Sequence, residues 1–229
     1  MIWYVVTDSE ENYRRSSSFY YHKLILEKYA QDCCLILHYK QVSQKLFAEH
    51  KPWVICHSGG SAMYDDYDIL QTEEYCACIR EWDVPQIGFC GGHQIISTQF
   101  GSKIGALRVL KPDEPDLNPG YCPGQLKEWG IYPVQIVKRN PIFDGLGDTI
   151  RVQEFHSWEV KELGSELILL ASSENCRVQA YVHSTKPIYG TQFHPEQSSD
   201  HYSDGFTILR NFFDIARKYH HNHHENSGI

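Results

Sequence analysis

The 229-residue chain is 41% hydrophobic and 22% charged, carries a formal net charge of −8, and contains eight cysteines. That length allows one large domain or two small ones, with a core that needs no staples. The acidic balance, with no basic block, argues against a nucleic-acid partner held through its phosphates, and no apolar run approaches the ~20 residues needed to cross a bilayer.

In chain order, Ile2 to Val6 reads as a buried strand, and its short apolar run without a basic flank is not a signal peptide. Residues 17–30 read as a helix capped by Ser16 or Ser17, 34–39 as a second strand, 42–48 as a short helix and 52–60 as a third strand running into glycines. Helical spacing of Ile69, Glu73, Cys76, Ile79 and Arg80 predicts a helix over 66–82. A strand at 85–90 and a helix over 92–100, closed by Gly101, complete an alternation that implies a parallel sheet covered on both faces. Residues 111–124, "KPDEPDLNPGYCPG", form a loop or lid.

Beyond it, strands are expected near 130–137, 149–155, 166–172, 177–183 and 187–193, a β-rich segment added to the sheet's edge. A helix over 204–219 closes the chain, with Ile208, Phe212, Ile215 and Tyr219 on one face. The fold expected is therefore a doubly wound, mostly parallel α/β sheet with flanking helices, one domain over 1–219, and a disordered His-rich tail over 220–229. None of the cysteines forms a C-x-x-C pair, so neither a zinc ribbon nor a dithiol redox site is expected, and the thiols suit a reducing cytoplasm.

The window "GFCGG" (88–92) has the form G-x-C-x-G between a strand and a helix. This is the setting of a nucleophile elbow, with cysteine in place of serine. The glycines let the backbone turn sharply, and a helix N-terminus favours a thiolate at Cys90. The N–H of Gly91 can face a developing oxyanion. The strand end at "YGTQFHPEQ" (189–197) supplies a base in His194, with Glu196 two residues on. In extended chain, residues two apart point the same way, so Glu196 can orient the imidazole, and Pro195 holds His194 extended. His57 and His93 flank the elbow as packing or supporting residues, and Cys76 and Cys78 as core.

"PQIGFCGGHQ" together with "YGTQFHPE" resembles the triad-type class-I glutamine amidotransferases. "WVICHSGGSAMYDD", "KEWGIYPVQIV", "EFHSWEV" and "LLASSENCRVQAYVH" follow in that family's order, so the resemblance runs from about residue 1 to 216. It implies that Cys90 attacks the side-chain amide of glutamine, His194 shuttles the proton and Glu196 orients it. It further implies that the N–H groups of Gly60 and Gly91 hold the oxyanion, and that Gln94 and the backbone at Ser157 and Trp158 take the substrate's amino-acid end. No metal or organic cofactor is implied. The sequence contains no ATP-binding P-loop, so a separate synthetase subunit is the expected partner and ammonia acceptor.

Three positions depart from the family pattern. Ser61 stands where many relatives have proline and should soften the oxyanion loop, Gly91 should loosen the turn, and Phe155 stands where some relatives have asparagine. Two other readings remain open from the residues alone: a stand-alone γ-glutamyl amide or peptide hydrolase, and an inactive regulatory subunit, which the intact Cys90, His194 and Glu196 disfavour.

Overall fold

The computed structural model describes residues 1–224, the side chains of Asp65 and His224 aside. In chain order its elements are β1 (Ile2–Val6), α1 (Glu10–Arg15), α2 (Ser18–Ala30), β2 (Cys34–His38), α3 (Gln44–His50), β3 (Ile55–His57), α4 (Glu73–Glu81), β4 (Gln86–Phe89), α5 (Gly91–Gln99) and β5 (Lys103–Ala106). Then follow β6 (Glu128–Ile136), β7 (Thr149–His156), β8 (Trp158–Glu162), β9 (Leu167–Ser172), β10 (Ala180–His183), β11 (Ile188–Thr191) and α6 (Asp204–His224).

Every residue of β1 is buried because its side chains alternate between two covered faces. Ile2, Tyr4 and Val6 pack in one apolar layer with Leu26 of α2 and Phe212 of α6, while Trp3 and Val5 pack in the other with Ile79 of α4 and Ile95 of α5. The sheet between them has nine strands in the order β2-β1-β3-β4-β11-β10-β9-β6-β7. From β2 to β11 neighbours run parallel, and from β11 to β7 antiparallel. This is the doubly wound architecture with an added β-rich half. β5 and β8 pair as a separate two-stranded ribbon.

The parallel pairings β3–β4 and β4–β11 place the loops after these three strands side by side at one edge of the sheet. Carboxyl edges of parallel strands are where α/β folds gather their sites.

Several expected elements are corrected. The helix over 66–82 is broken into two 3-10 turns, Tyr64–Asp66 and Ile69–Gln71, followed by the shorter α4. The break is held by Asp68, whose carboxylate accepts from Tyr39 Oη at 2.5 Å and whose carbonyl accepts from Thr72 Oγ1 at 2.9 Å. The closing helix does not end at residue 219 but continues to His224, where His223 stacks on Tyr219 with ring centroids 4.0 Å apart. The first five residues of the expected tail are therefore helical, and residues 225–229 lie outside the described residues. α1, β5 and β8 are additions that the residue pattern does not announce. Among the described residues no helix is long and apolar enough to cross a membrane.

Candidate active site

Cys90 leaves β4 and begins α5 with φ +48° and ψ −104°, a strained setting for a residue with a side chain. The elbow closes only because its neighbours lack Cβ atoms. A Cβ on Gly88 would lie 2.4 Å from the Gly92 carbonyl carbon, and one on Gly92 would lie 2.6 Å from the His57 carbonyl oxygen. The Cys90 N–H donates to Thr191 O at 2.8 Å, tying the elbow to the end of β11. Three residues past that point, His194 faces the cysteine across Gly59: a Cβ built on Gly59 would sit 2.8 Å from His194 Cε1 and 3.4 Å from Cys90 Cβ.

His194 Nδ1 donates to Glu196 Oε1 at 2.7 Å, and both groups are buried. Burial by itself would lower the imidazole pKa, but the Glu196 carboxylate and the contact with Cys90 raise it to about 10. Burial likewise opposes the charged carboxylate, and the imidazolium overrides it to hold Glu196 below its ordinary range. The three side chains form the hydrogen-bonded nucleophile, base and orienter arrangement suited to covalent attack on a carbonyl. Sequence reasoning misses Gln192, whose Nε2 donates to Cys90 Sγ at 3.5 Å. Its position two residues before His194 on the same extended segment is the available signal.

The oxyanion loop after β3 brings its amides against the elbow. A Cβ on Gly91 would lie 2.9 Å from Gly60 N, so glycine at 91 is what lets the two amides converge, not a source of looseness. The expected softness at Ser61 is also corrected. Its N–H donates to Asp8 Oδ2 at 2.8 Å and its hydroxyl to the same oxygen at 3.0 Å. Asp8, at the end of β1, accepts further from Ala62 N at 3.2 Å, Asn12 Nδ2 at 2.9 Å and Ser9 N at 2.7 Å. A proline at 61 could offer no N–H to this carboxylate. Asp8 is thus a clamp on the loop that sequence reasoning misses, because nothing local marks it.

Two cavities meet at Cys90 and Gly60. The first, of about 560 Å³, is walled by Phe19, His22, Trp129 and Phe155 and reaches His194. The second, a crevice of about 20 Å³, holds Gln94, Tyr64, Gly91 and Trp158. Tyr121 lines both, so the 111–124 loop forms a wall of the site. In the crevice, Gln94 Nε2 donates to Trp158 O at 2.8 Å and to Gln192 Oε1 at 2.9 Å, while Gln94 Oε1 accepts from Tyr64 Oη at 2.8 Å. The remaining lone pair of Oε1 can still receive an ammonium. The Ser157 carbonyl accepts from Leu107 N at 2.8 Å, so the carbonyls of Ser157 and Trp158 are already engaged by the protein. Phe155 packs its ring 5.9 Å from that of His194.

His57 and His93 are buried under the elbow. His57 bridges Tyr75 Oη and Gln86 Oε1 at 2.9 Å each, and burial brings its pKa down to about 4; His93 packs on Tyr181 and is brought down to about 3. Both rings are neutral packing groups at ordinary pH. Cys76 and Cys78 are core residues of α4.

A family model for glutamine amidotransferase class-I matches residues 16–216. Among curated relatives, the glutamine-hydrolyzing subunit of GMP synthase from Thermococcus kodakarensis is 38% identical over 169 residues, covering 72% of this chain and 77% of the relative. The corresponding GMP synthase subunit from Pyrococcus furiosus is 36% identical over 166 residues, with the same coverage of each chain, 72% and 77%. Among solved structures, a Thermoplasma acidophilum protein provisionally assigned as this same GMP synthase subunit superposes with a TM-score of 0.73 at 28% identity, over 96% of this chain and 95% of that one. A Thermotoga maritima glutamine amidotransferase, at 17% identity, TM-score 0.62 and coverage of 96% and 91%, shares the fold.

Proposed function

Since the chain belongs to the class-I glutamine amidotransferases, we propose that it hydrolyses glutamine at Cys90 and delivers the ammonia to a separate synthetase subunit. The observation that carries this reading is the contact of Cys90 with a His194 whose other nitrogen is fixed by Glu196. Cys90 Sγ attacks the amide carbon of the side chain, and the carbonyl π electrons move to an oxygen held by the N–H groups of Gly60 and Gly91. His194, having taken the thiol proton, gives it to the departing ammonia as the C–N bond breaks. Water, deprotonated by the same imidazole, then opens the γ-glutamyl thioester to glutamate and restores Cys90. Gln94 and the backbone at Ser157 and Trp158 bound the crevice that takes the amino-acid end. The chemistry calls for no organic cofactor.

The relatives' description as subunits of GMP synthase supports an acceptor site on a partner that aminates a purine nucleotide to form GMP. We place the chain in the cytoplasm, a reading supported by its eight free cysteines. The test is to combine the pure chain with the ATP-dependent GMP synthase subunit of its own organism and supply glutamine labelled with 15N at the amide. GMP carrying 15N is expected. GMP formed only from added free ammonia would overturn the partner reading.

One observation favours a second reading. The 560 Å³ cavity on the His194 side of Cys90 offers more room than an amide nitrogen needs, and it has aromatic walls. A γ-glutamyl hydrolase would place the group it cleaves off there. Turnover of a γ-glutamyl compound at ~10 s⁻¹ or more, the order of a typical enzyme, by the chain alone would favour it.

A further inference from the structure

Behind the substrate crevice lies a buried ionic cluster that the thioester chemistry does not use. Strand β7 turns Ile150, Val152, Glu154 and His156 inward, so a register that begins with aliphatic side chains ends by delivering a carboxylate and an imidazole to the interior. Glu128 of β6 is the cross-strand partner of His156. His156 Nε2 donates to Glu128 Oε2 at 2.9 Å and lies 3.2 Å from Glu154 Oε2. Its Nδ1 is 2.9 Å from the carbonyl oxygen of Trp158. A carbonyl only accepts, and so does a carboxylate, so both ring nitrogens carry hydrogen and the ring is an imidazolium. Burial would lower its pKa, but the hydrogen bond to Glu128 and the contact with Glu154 lift it well above the ordinary value.

The cluster is braced from one side only. Glu128 also accepts from Gln179 Nε2 at 2.9 Å, Ser173 Oγ at 3.3 Å and Asn175 Nδ2 at 3.4 Å, whereas the fully buried Glu154 has no hydrogen-bond donor of its own among the described residues. Ionised groups are a poor way to stabilise an interior, since well-packed apolar residues do so at least as well. What the imidazolium does provide is a charged donor to one carbonyl. That Trp158 oxygen also receives Gln94, whose second amide hydrogen goes to Gln192, which in turn donates to Cys90. A continuous set of hydrogen bonds therefore runs from the charged cluster to the wall of the crevice and on to the nucleophile.

We propose that His156, held between Glu128 and Glu154, is a positioning residue for recognition of the amino-acid end of glutamine. It fixes the Trp158 carbonyl and, through it, the rotamer of Gln94. The inference rests on the glutaminase reading above, and it separates capture of the substrate's amino-acid end from the reactivity of Cys90 itself.

The test compares labelling of Cys90 by iodoacetamide, which has no amino-acid end, with labelling by 6-diazo-5-oxo-L-norleucine, which has the shape of glutamine. In Glu128→Gln and His156→Leu, the diazoketone rate is expected to fall, and KM for glutamine to rise, by ~10-fold, the scale of one lost charged hydrogen bond. The iodoacetamide rate is expected to hold. His156→Asn, which keeps a donor near the place of Nδ1, should recover part of the loss. Equal slowing with both probes, or no change with either, would overturn the proposal. Should His156→Leu fail to fold, as judged by circular dichroism, Glu128→Gln decides alone. Wild-type protein that the diazoketone does not label would instead sink the glutaminase reading and this inference with it.

Discussion

Glu196 turns one oxygen to His194 and leaves the other without a donor among the described residues, so its function is concentrated in a single hydrogen bond. The sign of its effect on pH follows. His194 holds its proton to about pH 10 in the fold against an ordinary value of 6.5, so the stabilisation from the pair is complete below 6.5 and is lost as pH climbs toward 10. Activity carried by an imidazolium–thiolate pair should hold through neutral pH and fall along the same alkaline limb. Glu196→Gln should move that limb to lower pH in a profile of kcat/KM; an unmoved limb would remove Glu196 from the orienting role. Cys90→Ser should abolish ammonia release from glutamine with circular dichroism unchanged, and His194→Ala should be nearly as damaging, since members of such a unit each cost several orders of magnitude. Near-normal turnover in folded Cys90→Ser would end the thioester mechanism. All three residues can be found in the sequence because each lies in a short segment whose local conformation declares it: a glycine-flanked turn and a strand end stiffened by Pro195.

At the level of elements, the site is made by three parallel strands that end together, and its precision comes from contacts between their loops. Asp8 at the end of β1 ties down Ser61 and Ala62 of the loop after β3, and Gly91 at the start of α5 admits the Gly60 amide. Oxyanion donors act through preorganisation, and one donor is worth ~10²–10³ in rate. Asp8→Ala should therefore lower kcat by up to that factor while KM changes little, read from initial rates over a range of glutamine concentrations. A rise in KM with kcat intact would show that Asp8 shapes binding and not the oxyanion loop. The expected helix over 66–82 fails for a reason of the same kind. Its periodicity is helical, but Tyr39 and Thr72 capture Asp68, and the segment before α4 instead carries Tyr64 to Gln94 and Tyr67 to the Thr7 carbonyl, 2.8 Å in each case.

Across the whole molecule, the two apolar layers hold the sheet flat enough for these loops to meet. Phe212 of α6, fully buried against the β1 face, is part of that support. Phe212→Ala should cost ~3–5 kcal/mol of folding stability, measured by urea denaturation, with little change in the KM of the molecules that remain folded. A cost below ~1 kcal/mol would mean that the layer collapses around the gap. The alternation of buried strands and amphipathic helices is written in the residue periodicity, and so are the doubly wound order, the elbow and the His-x-Glu pair, because each depends on neighbours within a few positions. The partners of Asp8, 53 and 54 residues away in sequence, and of Gln94, 64 and 98 away, are not. The same holds for Glu128 and Glu154 around His156. A carboxylate or an amide in a strand or helix pattern looks the same whether it faces water or a buried donor, and only the packing of distant strands brings the donor to it.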